Sequence, residues 1–270
     1  KVSADRGNTA LFEKFAANLD KTHRGQFAPA QILQCIEAAV NAESFDEGMA
    51  VERARFAECM SDPQREALIH IFFAERAANK IPGLPKDVPL LDINKGSVIG
   101  AGTMGGGIAM CFANAGIPVR VHDNEPENLA RGMKVIEGNY ARTVAKGRLT
   151  QEEMDKRMSL IIPTENFDDL GDGDIVVEAV YENLDLKKEI FARLDKVMKQ
   201  GALLATNTSG LDVDAIAGMT DRPEFVCGMH FFSPANVMRL LEVVRGKDSS
   251  PVVLGTAMAL GKRLGKVSVM

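Results

Sequence analysis

Cysteine is scarce and unpatterned in this chain. Cys35, Cys59, Cys111 and Cys227 are scattered through 270 residues with no C-x-x-C pair, which excludes a metal knuckle and a disulfide scaffold. A chain of this length needs no cross-links to hold a core, so the thiols fit a reducing compartment. No metal is expected. No run of about 18 apolar residues occurs, so no membrane-spanning helix is expected, and the start KVSADRGNTALF lacks the apolar stretch of a secretory signal. A basic excess is missing too: 32 Lys and Arg face 37 Asp and Glu, a net charge of −5. That argues against nucleic acid as the main partner, because phosphate-binding surfaces carry surplus positive charge. Internal repeats and low-complexity tracts are also absent.

What is present is an ordinary globular composition, 46% hydrophobic and 26% charged, long enough for about two domains at roughly 150 residues each. The two parts differ. Residues 1 to 80 show no strand pattern; Ile32, Leu33, Ile36 and Val40 form one apolar stripe at helical spacing, and Leu68, Ile69, Phe72 and Phe73 another. Ser61 or Asp62 caps the second helix, with Pro63 in its first turn. Pro82, Pro85 and Pro89 then mark a linker. From residue 93 onward short β-rich runs alternate with helical stretches: 97–100, 118–123, 159–163, 174–180, 202–208, 225–232, 240–244 and 266–270. Alternation implies parallel strands joined by right-handed crossovers, and a run as apolar as DIVVEAV fits a sheet covered on both faces. The expected class is α/β, a Rossmann-type doubly wound parallel sheet preceded by an all-helical segment.

SVIGAGTMGGG places Gly100, Gly102 and Gly105 in the spacing G-x-G-x-x-G between a strand and a helix. Gly100 permits a tight turn, Gly102 lets the backbone approach a pyrophosphate, and Gly105 lets the helix pack on the strand. Thr103 and Met104 open that helix, whose unpaired amides and dipole favour phosphate. The next strand ends in Asp123, 21 residues beyond Gly102 (123 − 102), where a carboxylate accepts the ribose hydroxyls of an adenosine and repels the 2′-phosphate of NADP. Asn124 and Glu125 supply no arginine, so NAD is the expected cofactor. Asp123 can equally serve as a helix N-cap before Pro126.

Beyond the loop the chain reads EAVYEN (178–183), TNTSG (206–210) and MHFFSPANVMRLLEVVRG (229–246). Together with the glycine loop, these motifs resemble the NAD-binding domain of L-3-hydroxyacyl-CoA dehydrogenase, in the form found in the multifunctional β-oxidation enzymes of bacteria and peroxisomes. The resemblance covers nearly the whole chain. It implies that residues 1–55 are the C-terminal end of an enoyl-CoA hydratase (crotonase) fold, 56–92 a linker helix and proline-rich linker, and 93–270 the NAD-binding domain. It makes His230 the catalytic base and Glu242 its partner, and matches Ser209 to the serine that hydrogen-bonds the substrate oxygen. Glu182 and Asn207 match positions at the nicotinamide end of the cofactor, and Lys187 is expected to approach it. Ser233 stands where single-function relatives have asparagine. The family's hydratase glutamates would precede Lys1, and a further substrate-contacting asparagine belongs to a helical C-terminal domain that would follow residue 270. The expected location is cytoplasmic in a bacterium and peroxisomal in a eukaryote.

The chemistry suits these residues. Oxidising a secondary alcohol needs a base near neutrality, which histidine supplies, and a carboxylate on its far nitrogen fixes the tautomer. Phe231 and Phe232 help exclude water. Other readings are also open. Ser209 can cap the helix that follows, Glu242 can be a solvated edge charge, and Ser209, His230 and Glu242 can be read as a hydrolase triad, although no G-x-S-x-G elbow surrounds Ser209. The charged stretch 126–158 is either a solvated helix pair or, as in the family, a cover over the cleft whose Arg131, Lys134, Arg142, Lys146 and Arg148 meet CoA phosphates. His23, His70 and His122 have no partners in the pattern. The alternative function is an NAD-binding module with little turnover, because the second wall of the substrate cleft would lie beyond residue 270. A different hydroxyacid dehydrogenase on NADP would want an arginine after the second strand.

Overall fold

Four helix starts in the first part of the chain are written by local chemistry. Asn8 accepts a hydrogen bond from Leu11 N ahead of α1 (Thr9–Thr22), Pro29 sits in the first turn of α2 (Ala28–Asn41), and Ser44 accepts from Glu47 N ahead of α3 (Phe45–Ser61). Asp62, rather than Ser61, accepts from Gln64 N at 2.8 Å ahead of α4 (Pro63–Ala78). The computed structural model describes residues 3–78, 80–81, 83–85 and 87–270, so Pro82 lies outside the described residues. The chain forms two compact units, Lys1–Ala77 and Ala78–Met270.

The first unit departs from the amphipathic reading. Phe12, Gln31 and Val40 are its buried residues, whereas Ile32, Ile36, Leu68, Ile69, Phe72 and Phe73 all stand exposed. Helical spacing located the helices correctly, but of the first stripe only Val40 is buried and Leu33 half-buried, and the second stripe does not pack inside this unit.

In the second unit an eight-stranded sheet has the order β3-β2-β1-β4-β5-β6-β7-β8. Along the chain its elements are β1 (Gly96–Ile99), α5 (Thr103–Asn114), β2 (Val119–His122), α6 (Pro126–Ala145), α7 (Gln151–Ser159), β3 (Ile161–Thr164), β4 (Ile175–Glu178), α8 (Leu184–Val197), β5 (Leu203–Thr206), α9 (Val213–Ala217), β6 (Val226–Phe231), β7 (Leu240–Val244), α10 (Pro251–Arg263) and β8 (Val267–Val269). The eight expected runs are the eight strands. Consecutive residues go to opposite faces, Val98 and Val177 joining one apolar cluster and Ile99 and Val176 the other, as a strand's two-residue period requires. The sheet is therefore covered on both sides.

One pairing differs from the parallel expectation. β6 and β7 run antiparallel, because residues 232–239 are too few for the dozen or so that a parallel crossover needs. The charged stretch 126–158 also resolves into two helices, α6 and α7, the second started by a capping box in which Thr150 and Glu153 exchange hydrogen bonds. The described part of the proline-rich segment belongs to the second unit. Leu84, Val88 and Leu90 lie against α10 at Gly255, Leu91 N donates to Thr256 Oγ1 at 2.9 Å, and Arg263 donates to Ile93 O at 2.6 Å.

Candidate functional site

In the order β3-β2-β1-β4 the strands β2 and β3 are added on one side of β1 and β4 on the other, all parallel, and at such a switch point open α/β sheets form a crevice at the carboxyl ends of their strands. The glycine loop leaves β1 there. Gly100 has φ +99°, and a Cβ on it would lie 2.6 Å from Ala179 O; a Cβ on Gly105 would lie 1.8 Å from Gly100 O. Around a Cβ on Gly102 nothing comes within 4 Å. Two glycines thus close the turn and the third faces open space. The first α-helical bond of α5 runs from Gly106 N to Gly102 O, so the amides of Thr103, Met104 and Gly105 precede any intrahelical acceptor, and no side chain caps them. This cradle fits a pyrophosphate. Gly105→Ala is expected to push the loop from β1, lowering the melting temperature and abolishing NADH binding measured by fluorescence; binding at the original affinity would refute the packing role.

Asp123, half-buried at the end of β2, is already turned toward the loop. Its Oδ2 accepts from Ala101 N at 2.9 Å, and its Oδ1 from Glu125 N at 3.2 Å and Asn128 Nδ2 at 3.4 Å. The N-cap alternative is not what forms: α6 is capped at Glu125, without a side-chain bond. His122 is satisfied in the core, its Nδ1 3.1 Å from Thr164 O and its Nε2 3.3 Å from Asn124 Oδ1.

His230 and Glu242 are direct register partners across β6 and β7, so both side chains rise on one face of the sheet. His230 Nδ1 and Glu242 Oε2 are 2.8 Å apart, with Phe232 stacked 4.6 Å from the imidazole. A carboxylate only accepts, so Nδ1 carries the proton and Nε2 presents the open lone pair. The histidine side chain is 18% exposed and the glutamate 48%, enough access for a base. Asn207, from the turn after β5, accepts Phe231 N at 2.7 Å beside the histidine. Ser209 is held elsewhere: its N and Oγ donate to Glu182 Oε1 at 2.8 and 3.2 Å. With its hydroxyl directed to Glu182, Ser209 forms no hydrolase triad with His230, and the helix after it is capped by Asp212 instead.

Partial burial opposes the charge on Glu182, yet the hydrogen bonds from Thr208 Oγ1 and Ser209 N and the nearby Lys187 ammonium outweigh it and hold the carboxyl below the ordinary carboxylate range. The sign follows: a depressed folded-state pKa contributes stability that is complete above the unfolded value and lost as pH falls through the folded one. Glu182→Gln is therefore expected to lower the melting temperature at neutral pH, where that contribution is complete, and to flatten its further loss as pH falls through the carboxylate range. Identical acid limbs in the two proteins would refute it.

Lys187 needs correction. Its side chain has no exposure, so it does not approach a cofactor directly in this conformation. The ammonium lies 2.7 Å from Glu178 Oε1 and 3.5 Å from Glu182 Oε2, and Glu178 also accepts from Val180 N and, at 2.7 Å, from Thr206 Oγ1. Burial of the aliphatic stem beneath the strand ends turns the cation inward, so Lys187 acts on the cleft by way of Glu182. The sequence reading assigned no role to Glu178, although a carboxylate ending the apolar strand IVVE was a visible signal. Gly132 was missed as well: a Cβ there would lie 2.3 Å from Ala101 O, so α6 closes directly on the loop.

Residues 95–270 match the family model for 3-hydroxyacyl-CoA dehydrogenase, NAD binding domain. The chain belongs to this family. NAD is the cofactor of this dehydrogenase domain. The chain is 41% identical over 268 residues to the peroxisomal bifunctional enzyme of Danio rerio, covering 97% of this chain and 36% of that protein. It is 38% identical over 256 residues to the fatty acid oxidation complex subunit alpha of Psychrobacter sp. (strain PRwf-1), covering 94% and 35%. Among solved structures, 3-hydroxybutyryl-CoA dehydrogenase of Escherichia coli K12 superposes with a TM-score of 0.65 at 38% identity, covering 66% of this chain and 38% of that one. The chain thus spans about a third of the length of the curated relatives it matches. No described helix is long and apolar enough to cross a membrane, and no metal-holding cluster of His, Cys, Asp or Glu is found among the described residues. The four cysteines are unpaired thiols, and burial pushes Cys227 up to about 12.

Proposed function

We propose that this chain is the cofactor-binding and proton-abstracting half of an enzyme that oxidises L-3-hydroxyacyl-CoA to 3-oxoacyl-CoA within a multifunctional fatty-acid β-oxidation protein. The observation that carries it is the 2.8 Å pairing of His230 with Glu242 on aligned strands, for which a module that merely binds NAD has no use. NAD, when bound, supplies the hydride acceptor. His230 Nε2 takes the hydroxyl proton as the carbonyl forms, and Glu242 steadies the charged ring through Nδ1. Ser209 and Glu182 line the approach from β5 and from the turn after β4, and Asp123 receives the adenosine ribose. Phe232 screens the imidazole from water. The cations nearer the far end of the α6–α7 excursion, Arg142, Lys146 and Arg148, are assigned to the CoA phosphates, as the resemblance implies.

Residues 1–55 are assigned to the end of a hydratase domain, 56–92 to the connection and 93–270 to the NAD-binding domain. A hydratase domain and a helical C-terminal dehydrogenase domain are the partners expected in the parent protein, which would work in the cytoplasm of a bacterium or the peroxisome of a eukaryote. NADH formation from a 3-hydroxyacyl-CoA by the parent-length protein tests the activity, and its absence would refute it. Cofactor choice is tested on this chain: NAD is expected to raise its melting temperature by the linkage relation RT ln(1 + [L]/Kd), and NADP much less. Equal stabilisation by NADP would overturn the role given to Asp123.

A further inference from the structure

The surroundings of Asp123 hold a cation that inspection of Asn124 and Glu125 does not reveal. Arg131 lies on the second turn of α6, exposed, and its guanidinium donates to Asn128 Oδ1 at 2.6 Å. That bond fixes which end of the Asn128 amide points outward, since the oxygen is engaged and Nδ2 is left to donate to Asp123 Oδ1 at 3.4 Å. Asp123, Asn128 and Arg131 therefore form a short relay at the adenosine end of the crevice, with the Glu125 and Ala101 amides also directed at the carboxylate.

We propose that Asn128 and Arg131 are the specificity-determining residues behind Asp123: they form a latent site for the 2′-phosphate of NADP that the Asp123 carboxylate keeps shut. The inference deepens the cofactor reading above and rests on it. A 2′-phosphate brings negative charge and acceptor oxygens to the place where the ribose hydroxyls meet Asp123. With the carboxylate present, like charges meet and every nearby donor is already engaged. With it removed, the Glu125 amide and Asn128 Nδ2 lose their acceptor, and Arg131, whose planar fork matches phosphate geometry, is freed from a relay that ended on an anion. Glu125 at the N-cap and Glu127 in the first turn of α6 oppose an incoming phosphate, which limits the gain without supplying a competing cation site. Lys134 lies about one turn further along α6 and adds favourable but more distant charge.

The test uses the full chain with NADH and NADPH titrated separately by fluorescence. The unchanged chain should bind NADH and scarcely bind NADPH. Asp123→Ser should bind NADPH about tenfold more tightly than the unchanged chain does, the scale of one charge-assisted hydrogen bond, and NADH more weakly. Adding Arg131→Ala should remove most of the NADPH gain and leave NADH affinity where Asp123→Ser put it. Asp123→Asn, which preserves an acceptor for Ala101 N, should show the same ordering and separates charge from any disturbance of the loop. No NADPH gain in either variant, or a gain that survives Arg131→Ala, would overturn the proposal. Failure of the unchanged chain to bind NADH would overturn the cofactor reading itself, and this inference with it.

Discussion

Alanine at position 230 is expected to lower turnover of a 3-hydroxyacyl-CoA by about 10²–10⁴-fold, the range typical for loss of a general base, with NADH affinity unchanged. The expectation follows from where the imidazole sits. His230 lies on β6, three strands away from the glycine loop of β1 across the sheet order, so its removal leaves the adenosine and pyrophosphate ends untouched. What is lost is the open Nε2 that receives the hydroxyl proton. Glu242→Gln separates orientation from charge: glutamine still accepts from Nδ1, but the imidazolium formed during the reaction loses its anionic partner, so kcat falls while NADH affinity is unchanged. Steady-state kinetics and NADH titration on the parent-length enzyme are the measurements. A His230→Ala enzyme with undiminished kcat would remove the histidine from the mechanism, and a Glu242→Gln enzyme with undiminished kcat would remove the glutamate.

Much of this arrangement was legible beforehand because it is local. The glycine spacing, the carboxylate at the end of the second strand and the eight apolar runs are each written within a few residues, and the structure places them as read. The His230–Glu242 pairing was also accessible, since a short bend between two strands brings their residues opposite one another. The failures are non-local. Leu68, Ile69, Phe72 and Phe73 have the period of a packed helix face, yet periodicity carries no information about what covers that face, and they stand exposed. Lys187 was expected to approach the cofactor, but the packing of α8 at the ends of β4 and β5 buries it against Glu178. Arg131 was assigned to the CoA phosphates and not to Asp123, because the two are joined only through Asn128, which a helix turn brings beside Arg131.

The largest expected effect on stability belongs to that buried lysine. Lys187→Met should destabilise the second unit by about 3–5 kcal/mol, the usual cost of leaving one partner of a buried ion pair uncompensated. Both Lys187 and Glu178 are fully buried, so water cannot rescue the orphaned carboxylate as it would at the surface. Three donors converge on Glu178, the Lys187 ammonium at 2.7 Å, Thr206 Oγ1 at 2.7 Å and Val180 N at 2.8 Å. Removing the ammonium leaves two neutral donors for a full charge. The double variant Glu178→Gln with Lys187→Met removes both charges and keeps acceptors for Thr206 or Val180, so it should be more stable than Lys187→Met alone. That non-additivity is the signature of a coupled pair and is not produced by two independent packing defects. The effect also reaches the cleft: Glu182, 3.5 Å from the same ammonium, loses a cation that helps hold its carboxyl below the ordinary range, so the part of the acid-induced loss of stability that Glu182 contributes should be smaller in Lys187→Met than in the unchanged chain. Urea unfolding of four proteins at neutral pH, the unchanged chain, Lys187→Met, Glu178→Gln and the double variant, provides the measurement. A cost for Lys187→Met below about 0.5 kcal/mol, the size of an ordinary surface substitution, or a double variant whose cost equals the sum of the singles, would show that the pair does not hold the strand ends together.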